Sequence, residues 1–294
     1  MKNVQNFKIS FYKRLLSYFF GRFMWLIVLR YGKIKRLFFY VLKSVGFDQP
    51  RVKNVSSQTL ILNPLDSIVE LRLFLLRVYE PEVIEYIKMY VSQGMTVVDI
   101  GANNGFFTLI MAMLVGGTGR VICFEPNPYT FVKLNENLRI NNYKNITPVQ
   151  KAISDSSGIA RISNLSDSAL NSCILNFEEE SIETETMTLD DYFSNNNIGR
   201  CDLIKMDIEG SEHFALKGMM QTIRKNWHIQ LIIEVHEQQL IHLGSNKKAF
   251  IMSLLKEGFD VYELKPLLKK PQIIKKDDIA QPSGSHFLFK RNRN

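Results

Sequence analysis

Val97-Val98-Asp99-Ile100-Gly101-Ala102-Asn103-Asn104-Gly105-Phe106-Phe107-Thr108 joins one apolar run to another through two glycines. The first run, 95–100, is short and β-branched and predicts a strand; 106–115 predicts a helix. Gly101 and Gly105 allow a tight turn and a close backbone approach to a ligand, where a Cβ would clash. The alternation continues downstream. Strands are predicted over 120–124, 146–152, 202–206, 229–235, 260–264 and 286–290, and helices over 128–141, 212–225 and 247–257. Upstream, a strand over 59–62 precedes helices over 67–79 and 82–91. Residues 153–200, rich in Ser, Asn, Glu and Thr, predict an insertion of loops and short strands. Near-continuous Val/Ile strands alternating with helices specify a mostly parallel sheet covered on both faces. Ligands bind such sheets beyond the carboxyl ends of the strands. Asp99, Glu125, Asp207 and Glu234 all stand there, with His236 just beyond.

The loop spacing is G-x-x-x-G, with Asn103 where a dinucleotide fingerprint has its second glycine. A pyrophosphate needs that glycine, so NAD and FAD are disfavoured. D-x-G-x-x-x-G suits a phosphate-free ligand whose ammonium and carboxylate meet an acid and backbone N–H groups: S-adenosylmethionine. Asp99 is expected to orient its amino-acid end, directly or through water. Glu125, twenty residues past Gly105, can accept both ribose hydroxyls, by the logic of the acid in dinucleotide folds. Asn127, between Pro126 and Pro128, is placed to cap the next helix. A purely structural strand–turn–helix is the competing reading.

The segment Leu203-Ile204-Lys205-Met206-Asp207-Ile208-Glu209-Gly210-Ser211-Glu212 supplies a third signal. Lys205, Asp207 and Glu209 alternate, so they share a side. Asp207 and Glu209, with Glu234 and His236, form a catalytic candidate set. Such groups can deprotonate a hydroxyl, with Asp207 or His236 as the base. Alternatively, Asp207, Glu234 and His236 hold a divalent cation such as magnesium that does so. His213, His228, His242 and His286 are expected to be structural.

With 46% apolar and 22% charged residues in 294, the chain is an ordinary globular protein, not a disordered, collagenous or coiled-coil one. Three cysteines without a C-x-x-C pair exclude a disulfide framework or zinc ribbon and fit buried thiols in a reducing, cytoplasmic setting. Charge divides the chain. Residues 1–53 carry twelve Lys or Arg against Asp48 alone, whereas the other 241 carry 25 bases and 28 acids. A basic, aromatic-rich helical arm (1–54) is thus set off from a mildly acidic domain (55–294). The arm's longest apolar run, Phe23–Leu29, is seven residues, against about 20 for a bilayer span. Basic groups interleaved with rings suit an interfacial helix, so residues 1–45 are expected to meet an anionic membrane surface peripherally, on its inner face. Packing of the arm on the body is the alternative. Nucleic acid is not an expected partner, because the body shows no base-reading module.

The runs VVDIGANNGFFT, FEPNP, TLDD (Thr188–Asp191), LIKMDIEGSEHFALKG and IIEVH, in this order, resemble those of the FkbM-type methyltransferases. The resemblance covers roughly residues 79–290, beginning at Tyr79-Glu80-Pro81. It implies a Rossmann-like class I methyltransferase sheet and S-adenosylmethionine-dependent O-methylation, often of sugar hydroxyls or secondary metabolites. Asp99, Gly101, Gly105 and Glu125 fall on its cofactor positions; Asp207, Glu209, Glu212, Glu234 and His236 fall on its other signature positions. A hydroxyl of a small molecule or of a glycan or glycolipid sugar is the expected acceptor. The alternatives are a protein or nucleic-acid methyltransferase, or a membrane-associated binding protein without catalysis. Against the nucleic-acid enzyme, the place of an N/D-P-P-Y/F segment holds the acidic Asp207-Ile208-Glu209-Gly210. The absence of G-x-S-x-G excludes a hydrolase of that type.

Overall fold

A computed structural model describes residues 40, 43–44, 46–163, 181–265, 271–274 and 285–291. Most of the basic arm, including nearly all of its expected membrane-facing part, and Cys173 lie outside these residues. The hairpin β1 (Arg51–Val55) and β2 (Gln58–Leu62) pairs through its full length, straddling the domain boundary expected at 54/55. Two helices follow. α1 (Ile68–Leu76) is capped by the Ser67 hydroxyl, which accepts from the Glu70 N–H, and α2 (Pro81–Tyr90) has proline in its first turn.

The central sheet contains β3 (Thr96–Ile100), β4 (Arg120–Phe124), β5 (Ile146–Val149), β9 (Leu203–Met206), β10 (Gln230–Glu234), β11 (Asp260–Glu263), β12 (Gln272–Ile273) and β13 (His286–Lys290). Its order is β12-β11-β13-β10-β9-β3-β4-β5. The five strands from β10 to β5 are parallel, and β13 runs antiparallel between β10 and β11. Alternate residues feed two cores. Val97, Val121 and Leu203 pack with α1, α2, α3 (Phe106–Val115) and α4 (Pro128–Asn141). Val98, Ile122 and Ile204 pack with α5 (Leu189–Asn195), α6 (Glu212–Lys217), α7 (Met220–Lys225), α8 (Glu237–His242) and α9 (Lys247–Lys256). Burial on both sides is why these strands read as unbroken apolar runs.

Three elements depart from expectation. The strand over 146–152 divides: β5 stays in the main sheet, while β6 (Ala152–Ile153) joins β7 (Gly158–Ser163) and β8 (Ser181–Met187) in a separate sheet. The helix over 212–225 breaks at Gly218, where a Cβ would lie 1.9 Å from the Ser154 carbonyl oxygen, so the chain turns against another backbone. α5 forms inside 153–200, where loops and short strands were expected.

One buried side chain ties the hairpin to the glycine loop. Asn137 of α4 accepts from the Ile61 N–H (2.7 Å) and donates to the Asn104 carbonyl (2.8 Å); Asn141 accepts from the Thr59 N–H (2.9 Å). α4 thereby supplies polar partners to a β2 edge that no strand of the described residues covers.

Candidate active site

β3 has β4 on one side and β9 on the other, which makes its carboxyl end the point where the strand order reverses. A cleft of about 540 Å³ opens there, lined by Gly101, Asn103, Glu125, Asn127, Lys205, Asp207 and Glu209 among others. Asn103 takes a left-handed backbone (φ 50°), which asparagine tolerates better than most residues, and aims its N–H at Glu125 Oε2 (2.9 Å). The Asn127 N–H donates to Glu125 Oε1 (3.0 Å), while the Asn127 side chain caps α4 through the N–H groups of Tyr129 and Thr130. Glu125 is thus held by one backbone donor on each oxygen. Burial pushes its carboxyl up to about 7, against the pull of those two donors.

Both loop glycines are also packed closely against protein atoms. At Gly101 (φ +81°) a Cβ would stand 1.9 Å from the Asp207 carbonyl oxygen, so the close neighbour is the β9 strand end. At Gly105 (φ +87°) a Cβ would meet Leu134 of α4 at 2.8 Å, and Gly105 lies behind the cleft wall. Asp99 also lies behind it. Its carboxylate is fully buried, accepts from the Thr108 hydroxyl (2.6 Å) and faces Lys205 Nζ at 3.9 Å, so it meets a ligand only through neighbours.

Lys205, Asp207 and Glu209 all reach the cleft; Glu209 adopts a left-handed backbone (φ 52°) in the turn toward α6. Lys205 was not foreseen as a site residue, although a lysine on a central strand flanked by acids was the available signal. Its Nζ lies 3.5 Å from Asp207 Oδ2 and 4.9 Å above the Phe107 ring. Burial opposes its charge, but Asp207 and Asp99 outweigh that and hold the ammonium protonated. For Asp207, burial raises the carboxyl most, Lys205 opposes it, and Glu234 and Glu80 push the same way as burial.

Glu234 and His236 adjoin Asp207, with side chains about as exposed as its own. His236 Nδ1 pairs with Glu212 Oε1 (3.2 Å), and Nε2 lies 3.9 Å from Asp207 Oδ1 and 3.8 Å from Glu234 Oε1. Burial lowers the affinity of His236 for its proton, yet Glu212, Glu234 and Asp207 together raise it to about 9. A ring protonated at neutral pH is a poor base, which leaves Asp207 as the better of the two candidates. His286, expected to be structural, lies within 3.2–3.7 Å of Glu80, Glu82 and Glu234. His228 pairs with Asp202 (2.9 Å), and His242 with the Gln238 carbonyl (2.7 Å).

The sheet order, the antiparallel β13 and the cleft at the β3/β9 reversal define a Rossmann-like methyltransferase fold. Residues 99–261 match the methyltransferase FkbM domain, and the chain belongs to that family. It is 29% identical over 138 residues to the hexuronic acid methyltransferase AglP of Haloferax volcanii, covering 47% of this chain and 54% of that protein. It is 24% identical over 200 residues to the methyltransferase sdnD of Sordaria araneosa, covering 56% and 73%. The match therefore spans about half the length of the first of these relatives. Among solved structures, a methyltransferase FkbM from Methylobacillus flagellatus superposes with a TM-score of 0.45 at 19% identity, covering 68% of this chain and 44% of that one.

Proposed function

We propose that this chain transfers the methyl group of S-adenosylmethionine to a hydroxyl, in a sugar of a glycan, glycolipid or related metabolite. The observation that carries the reading is Glu125. It is a buried carboxylate at the cleft wall with one backbone donor per oxygen, which leaves an acceptor position on each for a pair of neighbouring hydroxyls. The cofactor supplies an electrophilic methyl on a sulfonium. The residues of the chain do the rest. Glu125 and the Asn103 turn hold the ribose end. Asp207 accepts the proton of the attacking hydroxyl, and Lys205 fixes the Asp207 carboxylate. A sugar acceptor is supported by the relative that acts on hexuronic acid, and by Lys151 and Arg161, which bring cationic groups to the cleft lining.

Calorimetry tests the cofactor. Glu125→Ala should cost about 2 kcal/mol of binding, roughly a 30-fold loss. The sign with pH follows from the raised carboxyl: protonation below about 7 removes an acceptor, so affinity falls as pH drops through that value. Glu125→Gln should flatten the dependence. Absence of any heat from S-adenosylmethionine with the intact, folded protein rules the reading out. Comparing the glycans of cells with and without the protein, by mass spectrometry, tests the acceptor.

The arm fits the same picture, with the enzyme working from the inner face of a membrane where lipid-linked sugars are assembled. No helix of the described residues is long and apolar enough to cross a membrane. Each Lys or Arg near an anionic surface contributes about 1 kcal/mol. The full chain should sediment with anionic vesicles, less so as salt rises, and a version starting after residue 45 should not. Equal partitioning of the two would place the arm on the body instead.

A further inference from the structure

We infer that Glu80, Glu234 and His286 form a seat for a divalent cation, adjoining Asp207 through Glu234. Strand register builds it: Glu234 of β10 stands directly opposite His286 of β13, so their side chains meet on one face. Glu80 enters from the start of α2, where a left-handed backbone (φ 40°) immediately before Pro81 turns its side chain inward. His286 Nε2 lies 3.2 Å from Glu80 Oε2 and 3.4 Å from Glu234 Oε2, and one donor atom from each residue falls within 4.8 Å of the others.

The second observation is that the buried atoms of this nest are held only by long, poorly aligned ion pairs. Glu80 is 5% exposed, and its Oε2 meets His286 Nε2 at 3.2 Å without a well-formed hydrogen bond. Imidazolium–carboxylate hydrogen bonds run at about 2.7–2.9 Å. Spacings of 3.2–3.4 Å are long for that. They match the separation of adjacent ligand atoms about 2.1 Å from a shared ion. The other ring nitrogen is already engaged: Nδ1 meets Ser285 Oγ at 3.3 Å, with Glu82 Oε1 at 3.7 Å, the arrangement that orients a metal-bound histidine. Three carboxylates, two of them buried, surround this ring; Arg72 also acts on Glu82, and Lys205 and His236 act on Glu234. A divalent ion seated here would take the place of the ring proton on His286 Nε2.

The outer set expected from the sequence, Asp207, Glu234 and His236, fits less well. Its contacts to His236 Nε2 are 3.8 and 3.9 Å, and Asp207 already faces Lys205. Two carboxylates and one imidazole suit manganese or zinc. The inference concerns ion binding alone; calorimetry of S-adenosylmethionine with the metal-free protein tests the cofactor reading separately.

The test strips the full chain with a chelator and titrates Mn²⁺, following loss of the free-ion electron paramagnetic resonance signal, with Zn²⁺ against a chromophoric chelator in parallel. One ion per chain is expected. Glu80→Gln should weaken it by about tenfold or more, Glu82→Gln by a comparable factor through the ring, and Asp207→Asn should leave it nearly unchanged. Circular dichroism verifies folding, and the glutamine variants keep the test open should a His286 variant not fold. No ion bound by the wild-type chain overturns the inference. So does any result in which Asp207→Asn weakens binding as much as Glu80→Gln.

Discussion

Gly101→Val is expected to destabilise the whole protein, beyond any effect on ligand binding. The residue sits at φ +81°, which costs a non-glycine residue about 1–2 kcal/mol and a β-branched one more. Its Cβ would lie 1.9 Å from the Asp207 carbonyl oxygen, a backbone atom that cannot swing away as a side-chain tip would. That oxygen belongs to the junction where the Asp207 N–H donates to the Ile100 carbonyl (3.0 Å) and the Gly101 N–H donates to Phe124 (2.9 Å). Making room means prising apart β3 and β9 at the centre of the sheet. A loss above about 4 kcal/mol is expected, in the range reserved for named backbone and packing failures. Urea denaturation measures it. A valine variant as stable as its parent, yet unable to bind S-adenosylmethionine, would show that the glycine serves the ligand only.

Asp207→Asn should leave the fold and cofactor affinity near those of the parent and reduce turnover by about 10²–10⁴-fold, the usual worth of a positioned base. Asparagine keeps the backbone that Gly101 packs against and keeps the shape at the cleft wall. It removes the capacity to take a proton, together with the negative charge facing Lys205, which Asp99 still accompanies. Burial and the nearby Glu234 and Glu80 raise the Asp207 carboxyl, and Lys205 restrains it, so turnover should climb as pH rises and the carboxyl ionises. The asparagine variant should lose that limb. The measurement is a pH profile of methyl transfer with any sugar that the parent accepts. Undiminished turnover would remove Asp207 from the chemistry.

Much of this was legible in the sequence because it is local. The strand–glycine loop–helix of 97–115, the Asn127 cap and the acids at strand ends follow from spacing and residue type. What escaped depends on packing between distant segments. Gly218 interrupts a good helical pattern because Ser154 passes within contact distance, which no window around residue 218 contains. Asp99 and Gly105 stand at motif positions yet face inward, since α4 and Lys205 fill the space on their side. His286 looked ordinary because its partners lie some 50 and 200 positions away in sequence, joined to it only through the β10–β13 register and the α2 start.

The seat of β13 between β10 and β11 has a consequence for biosynthesis. A nascent chain can close the β5-β4-β3-β9-β10 half of the sheet while residue 286 is still inside the ribosome. Until then β10 has an open edge, β11 has nothing to pair with on that side, and Glu80, Glu82 and Glu234 lack the imidazole that sits among them. The acidic nest is therefore finished by a strand that emerges some 50 residues after β10. That interval exposes a strand edge in the manner that invites chaperone capture or misassembly.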